Sequence, residues 1–398
     1  MQRQQQIIDW LHGLLPDEIF TLSPASADAS FRRYFRVSFQ NHEGADAQAN
    51  FDGQQVGTLI VMDAPQPQED CRPFLHVARL LERAGVHVPH VYAHDLEQGF
   101  LLLSDLGNST FLQALQGRDS ATARELYDGA TDALIRIQLA TRKNELPPYD
   151  EKLLRREMNL FPEWYIGKHL NVTLSSAQTA KLETVFARII ANNLAQPHVY
   201  VHRDYHSRNL MHIEPPLLGP SLRSPLPQAG STKSTQSTAR QVACGIDRAK
   251  REERSRANEQ SNFLTSPGIL DFQDAVYGPI TYDLASLFKD AYIHWEEASV
   301  IDWLIRYWEK ARKAGLPVHE DFSEFYRDYE WMGVQRHLKV LGIFARLYYR
   351  DGKDGYLKDL PLVMAYLRTA CARYIDLKPL LNLLNTIDPQ NNKEGYTF

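Results

Sequence analysis

The sequence predicts an α+β chain in two lobes: a small antiparallel β-rich N-lobe over residues 1–106 and a larger helical C-lobe over 107–398. Three observations carry this. Before Gly107, short runs rich in β-branched and aromatic residues alternate with turns bearing Gly or Pro. After it, apolar residues recur at helical spacing over long stretches. Two polar-rich stretches break both patterns, VHRDYHSRNLM at 201–211 and GILDFQDA at 268–275.

The elements follow in order. MQRQQQIIDWLHGLLP carries one arginine, and Asp9 and His12 break its apolar pattern, so it reads as a short amphipathic helix and not a signal peptide. In 23–39 the small polar half is a turn and the half from Phe31 onward a strand. A polar loop over 40–56 leads to GTLIVMDAP, a buried strand ended by Pro65. Phe74, Leu75, Ala78 and Leu81 fall at helical spacing, and 87–107 holds two short strands around a turn at Gln98-Gly99. The expectation is a small antiparallel sheet with one helix packed on it. Residues 120–140, 176–194 and most of 281–385 read as helices, and Phe322, Phe325, Tyr326, Tyr329 and Met332 form one apolar core face. Residues 214–267 are rich in Pro, Ser, Thr and charge, with Phe263 as their only aromatic. Such a composition cannot offset chain entropy by burial, so disorder is expected there.

Composition narrows the function. The 398-residue chain has a net charge of -5, which supplies no field for nucleic acid or an anionic membrane. No apolar run reaches the length of a membrane span. Cys71, Cys244 and Cys371 are far apart and form no CxxC pair, so neither a disulfide framework nor a zinc site is expected. The reading is a cytoplasmic protein acting on a small molecule, with no obligate protein partner implied.

Asp204 and Asp271 stand 67 residues apart, and 54 of those belong to segment 214–267. The remainder suits a short strand pair, so both acids are expected to face one cleft with the segment leaving from the hairpin tip. His202-Arg203-Asp204 followed by Asn209 resembles the H-R-D-x-x-x-x-N loop of the protein-kinase fold, and Asp271-Phe272-Gln273 stands where those enzymes carry Asp-Phe-Gly. One carboxylate, Asp204, would orient an acceptor hydroxyl and receive its proton. Asn209 and Asp271 would supply oxygen ligands to Mg²⁺ on ATP, with His202 and Arg203 supporting the loop.

The wider pattern resembles the aminoglycoside phosphotransferase family, in which an Asp-Leu-Ala opening a helix follows the metal aspartate, as in YGPITYDLASL. That resemblance implies a bilobal protein-kinase-like fold and makes Asp283 a brace for the catalytic loop, through backbone amides or through Arg203. SADASFRRYFRV, LLLSDLG, EMNLFPEWY and GILDFQDAVYGPITYDL together look like the bacterial anomeric amino-sugar kinases of cell-wall recycling. The implied activity is ATP-dependent phosphorylation of the C1 hydroxyl of N-acetylmuramate and N-acetylglucosamine. The resemblance also implies nucleotide contacts at Ser30, Phe31, Arg32 and Arg33 in the first hairpin and at Ser104, Asp105 and Leu106 in the hinge. Glu157, Asn159, Trp164 and Arg156 are the candidate sugar wall.

Two features depart from the kinase pattern. The strand LIVMDAP has no lysine, which leaves Arg32 and Arg33 as the nearest phosphate-clamping charges in a first hairpin with small residues but no G-x-G-x-x-G, and segment 214–267 is an insertion expected to be tolerated at a loop tip. A kinase of another small alcohol (aminoglycoside, choline or homoserine) and a nucleotide-binding pseudokinase remain open on the residues alone.

Overall fold

A computed structural model describes residues 2–27, 31–41, 44–51, 53–213 and 266–389. Its N-lobe is a five-stranded antiparallel sheet in the order β1-β2-β5-β7-β6. The strands are β1 (Ile19–Ala27), β2 (Arg33–Gln40), β5 (Thr58–Asp63), β6 (Val91–Asp95) and β7 (Phe100–Ser104), with a separate small hairpin of β3 (Ala49–Phe51) and β4 (Gln54–Val56). β1 lies in the stretch expected to be a turn. It is an edge strand whose register shifts between Pro24 and Ser26, where a proline costs no ladder bond. Backbone pairing with β2 makes it a strand, so side-chain alternation does not announce it.

Strand alternation gives the sheet two buried faces. Val37, Leu59, Val61, Phe100 and Leu102 pack on Ile7 and Leu11 of α1 (Gln2–Leu14). Met62, Leu101 and Leu103 join the main core with α2 (Arg72–Arg83). Two helices therefore cover the sheet, one per face, where the sequence suggested one.

The C-lobe is helical. α3 (Phe111–Leu115) and α4 (Ser120–Leu139) follow the hinge, then α5 (Glu151–Met158), a π-helical turn at Phe161–His169 and α6 (Ser176–Ala195). Asp119, Asp150 and Ser175 start α4, α5 and α6 by accepting a backbone N–H with their side chains, as N-caps do. After the polar stretches come α7 (Tyr282–Phe288), α8 (Glu297–Lys313), α9 (Phe322–Asp351), α10 (Leu360–Arg373) and α11 (Lys378–Ile387). The expected stripe on α9 is core at Phe325, Tyr329 and Met332. Gly342 lets α9 lie against the π-helical turn, since a Cβ there would come 2.4 Å from the carbonyl carbon of Leu160. Among the described residues no helix is long and apolar enough to cross a membrane.

Four short strands position the two polar motifs. β8 (His198–Val201) pairs with β11 (Val276–Pro279), and β9 (Leu210–Met211) pairs with β10 (Gly268–Ile269), both antiparallel. The 202–209 loop runs from β8 to β9 and the 270–275 loop from β10 to β11, so the two ladders hold the loops side by side. The expected disorder of 214–267 lies outside the described residues except at its end. There Ser266 and Pro267 are buried, and the Ser266 hydroxyl accepts from the Arg136 guanidinium at 3.1 Å, so these two residues belong to the packed fold. Cys71 and Cys371 are buried free thiols, and Cys244 lies outside the described residues.

Candidate active site

The 202–209 loop is held from beneath. Asp283, at the start of α7, accepts the backbone N–H of His202 at 2.7 Å and of Arg203 at 3.0 Å. The backbone amides make this brace and the Arg203 guanidinium does not. Burial pushes the Asp283 carboxyl up to about 7, against the two amides that favour its charged form. Arg203 has φ 77° and Asp271 φ 62°. A left-handed backbone at a non-glycine residue costs roughly 1–3 kcal/mol, and surrounding bonds must hold it. At the far end of the loop Asp290 accepts the Ser207 N–H at 3.0 Å.

His202 uses both ring nitrogens as a neutral imidazole does: Nε2 donates to the Leu270 carbonyl at 3.0 Å and Nδ1 accepts the Asp204 N–H at 3.3 Å. It thereby ties the two loops together. Burial lowers its pKa from the ordinary 6.5 to about 4. Between those values the unfolded chain binds a proton that the folded chain does not. This contribution to stability is complete above about pH 6.5 and is lost as pH falls toward 4, by about 3 kcal/mol. His202→Asn, neutral throughout, should flatten the decline of the unfolding midpoint across that window, as measured by denaturation at a series of pH values.

Asp204, Asn209 and Asp271 converge. Asn209 donates through Nδ2 to the Asp204 carbonyl at 3.1 Å and to the Asp271 carboxylate at 3.3 Å, and Gln273 donates to the other Asp271 oxygen at 2.7 Å. The Asp204 carboxylate has no hydrogen-bond donor among the described residues and lines a cleft of about 560 Å³ between the lobes. Burial would raise its pKa, but the charge of Lys339, with His206, Arg203 and Arg336 beyond it, holds it down at about 2. It is therefore a carboxylate at any physiological pH. The hard oxygen donors of Asn209 and Asp271 suit Mg²⁺, which needs one or two protein carboxylates when phosphates and water complete its shell.

The hinge lines the same cleft through Ser104, Asp105 and Leu106. Of the other predicted nucleotide contacts, Ser30 lies outside the described residues and Phe31 is exposed. Arg32 pairs with Glu69 at 3.6 Å and Arg33 with Asp63 at 2.5 Å; neither lines the cleft. The reason is strand alternation. Arg33, Phe35 and Val37 share the α1 face, where Asp63 also meets Arg3. Tyr34 and Arg36 face the cleft, so Arg36 is the cleft-facing cation of this strand. It is held by a bidentate pair with Asp105 at 2.5 and 3.0 Å.

The predicted sugar wall is corrected. Glu157, Asn159, Trp164 and Arg156 do not line the cleft. Glu157 is buried beneath the catalytic loop, where it pairs with Arg203 and, at 3.3 Å, with Lys339. It also accepts from Tyr149 and Gln335. Burial works against its charge, but the two cations keep its pKa low. Arg156 and Asn159 are on the exposed side of α5, and Trp164 packs on the core. The cleft is instead closed by His206, Arg208, Tyr292, Tyr356 and the α9 residues Arg336, Lys339 and Phe344. The signal in the sequence was a pair of cations, Arg336 and Lys339, inside a largely apolar helical run.

Known proteins share this arrangement of chain. The sequence model of the phosphotransferase enzyme family matches residues 21–219 and 262–322. A protein of Neisseria meningitidis serogroup B named N-acetylmuramate/N-acetylglucosamine kinase is 42% identical over 100% of both chains. A protein of the same name from Pseudomonas aeruginosa is 43% identical over 97% of each. The fold is similar to that of a choline kinase from Streptococcus pneumoniae, at 12% identity and TM-score 0.53, covering 93% of this chain and 99% of that one. A choline/ethanolamine kinase family protein from Mesorhizobium loti gives 11% identity and TM-score 0.54, covering 96% and 99%. With its full length matched at this identity, and its two polar loops paired in one interlobe cleft, the chain belongs to the phosphotransferase enzyme family.

Proposed function

We propose that this chain transfers the γ-phosphoryl group of ATP to the anomeric hydroxyl of N-acetylmuramate and N-acetylglucosamine. The observation that carries the reading is the unpartnered Asp204 carboxylate facing the same cleft as Asn209 and Asp271. The substrate class rests on the full-length relatives and their names. The N-lobe, 1–106, takes the nucleotide, with the purine against Ser104 to Leu106. Asn209 and Asp271 hold Mg²⁺, which when bound neutralises phosphate charge. Asp204 orients the acceptor hydroxyl and receives its proton as the bond from the anomeric oxygen to phosphorus forms and the bond to ADP breaks. An anomeric hydroxyl is more acidic than an ordinary alcohol, so a weakly basic carboxylate suffices late in a loose transition state.

We assign to Arg36, the cleft-facing cation of β2, the role of the missing strand lysine. Arg36→Met should raise the KM for ATP by about tenfold, the size of one charge-assisted hydrogen bond, while moving the KM for sugar much less. Steady-state kinetics with each substrate varied in turn would check it.

The reaction itself is tested by incubating the chain with ATP, magnesium and either sugar, followed by phosphorus NMR and brief dilute-acid treatment. A sugar 1-phosphate is hydrolysed by that treatment; an acid-stable 6-phosphate, or turnover with aminoglycosides alone, would overturn the proposal.

A further inference from the structure

Two cations in the wall of the cleft, Arg336 and Arg208, make no salt bridge with a described residue. Arg336 is 3% exposed, yet it makes no ion pair or hydrogen bond with any described residue, and its Nη1 is a buried donor without a partner. Its neighbours in the wall are differently placed. Lys339 is neutralised by Glu157 at 3.3 Å and donates to the Tyr282 hydroxyl at 3.0 Å. Arg208 lies over the Tyr292 ring, 3.7 Å from its centroid, and forms no salt bridge with a described residue. His206, two residues after Asp204, has a buried Nδ1 that also lacks a partner.

Buried polar groups are paired in native proteins, and a buried guanidinium without a counter-ion is costly. One facing a cleft is instead explained by a ligand that completes it. The planar fork of an arginine matches a carboxylate in particular.

We infer that Arg336, assisted by Arg208 and His206, forms a carboxylate-binding subsite next to Asp204, which selects an acceptor sugar bearing an acidic substituent over a neutral one. The inference rests on the sugar-kinase reading above. Of the two sugars, N-acetylmuramate carries a carboxylate, on an ether at the third ring carbon. That carbon is separated from the anomeric carbon by a single ring atom. The group that receives the anomeric proton and the group that holds the carboxylate must therefore sit side by side. Arg336 and Asp204 line the same cleft, together with Arg208 and His206.

The test compares three ligands on the full chain: N-acetylmuramate, its primary carboxamide and N-acetylglucosamine. With the unmodified protein, replacing the acid by the carboxamide should raise KM by about tenfold to a hundredfold. In Arg336→Met the ratio of kcat/KM for the acid to that for N-acetylglucosamine should fall by tenfold or more, and Arg336→Lys should recover part of it. The ratio is the readout because Arg336 also acts on Asp204, so some loss on both sugars is expected. An unchanged ratio, or an unmodified protein indifferent to the carboxamide, would overturn the subsite. If the unmodified protein turns over neither sugar, the sugar-kinase reading fails separately. Calorimetric binding of the acid against the carboxamide, which needs neither turnover nor a folded variant, then decides the subsite.

Discussion

Asp204→Asn should reduce kcat by about 10² to 10⁴ while leaving ATP affinity within a few-fold of the unmodified protein. The substitution is isosteric, and the loop around it is held by other groups. Its carbonyl accepts from His206 and Asn209, its N–H donates to His202, and Asp283 braces the two preceding residues. What the amide loses is the negative charge that faces the cleft and the capacity to take a proton. Single-turnover kinetics beside a direct nucleotide titration separate the two effects. A variant that keeps kcat within a few-fold of normal would remove Asp204 from the chemistry.

The second large effect concerns Asp271. Asp271→Ala should leave the chain without measurable transfer at any magnesium concentration, whereas Asn209→Ala should regain part of its activity in excess magnesium. A carboxylate contributes charge as well as a ligand, and an amide contributes the ligand alone. Asn209 also links Asp204 to Asp271, so its loss loosens the loop, and the recovered rate should stay below that of the unmodified protein. The measurement is initial rate against magnesium at saturating ATP for both variants. Equal recovery would contradict the assignment of Asp271 as the principal metal ligand.

Much of this site is legible in the amino-acid sequence. Asp204, Asn209 and Asp271 lie in short motifs whose spacing encodes a local geometry, and the ladders β8–β11 and β9–β10 turn that spacing into proximity. The helices α4 and α6 begin where Asp119 and Ser175 supply N-caps and run as their apolar periodicity indicates. The edge strand β1 is not legible, because its pairing uses backbone groups that small polar residues do not advertise. Arg36 is an intermediate case. It belongs to a motif plain in the sequence, but its choice over Arg33 follows from which sheet face meets α1 and which meets the cleft.

The acceptor wall shows the division most clearly. The chain by itself determined the local grammar: where helices run, where strands alternate, and that Asp204 and Asp271 stand 13 residues apart once the long segment is set aside. It did not determine which of its charged groups would be paired in the interior and which would face the cleft. Glu157 and Arg336 are 179 positions apart, and only Glu157 stood in the stretch that the sequence marked as a sugar wall. Tertiary packing brought Lys339 and Arg203 against Glu157, which consumed that carboxylate as a counter-ion. Packing also laid α9 along the cleft with Arg336 in its wall and the Arg336 Nη1 without a hydrogen-bond partner among the described residues. Charge compensation in a low-dielectric interior is a property of the whole arrangement, because the partner that satisfies a buried ion can come from any part of the chain.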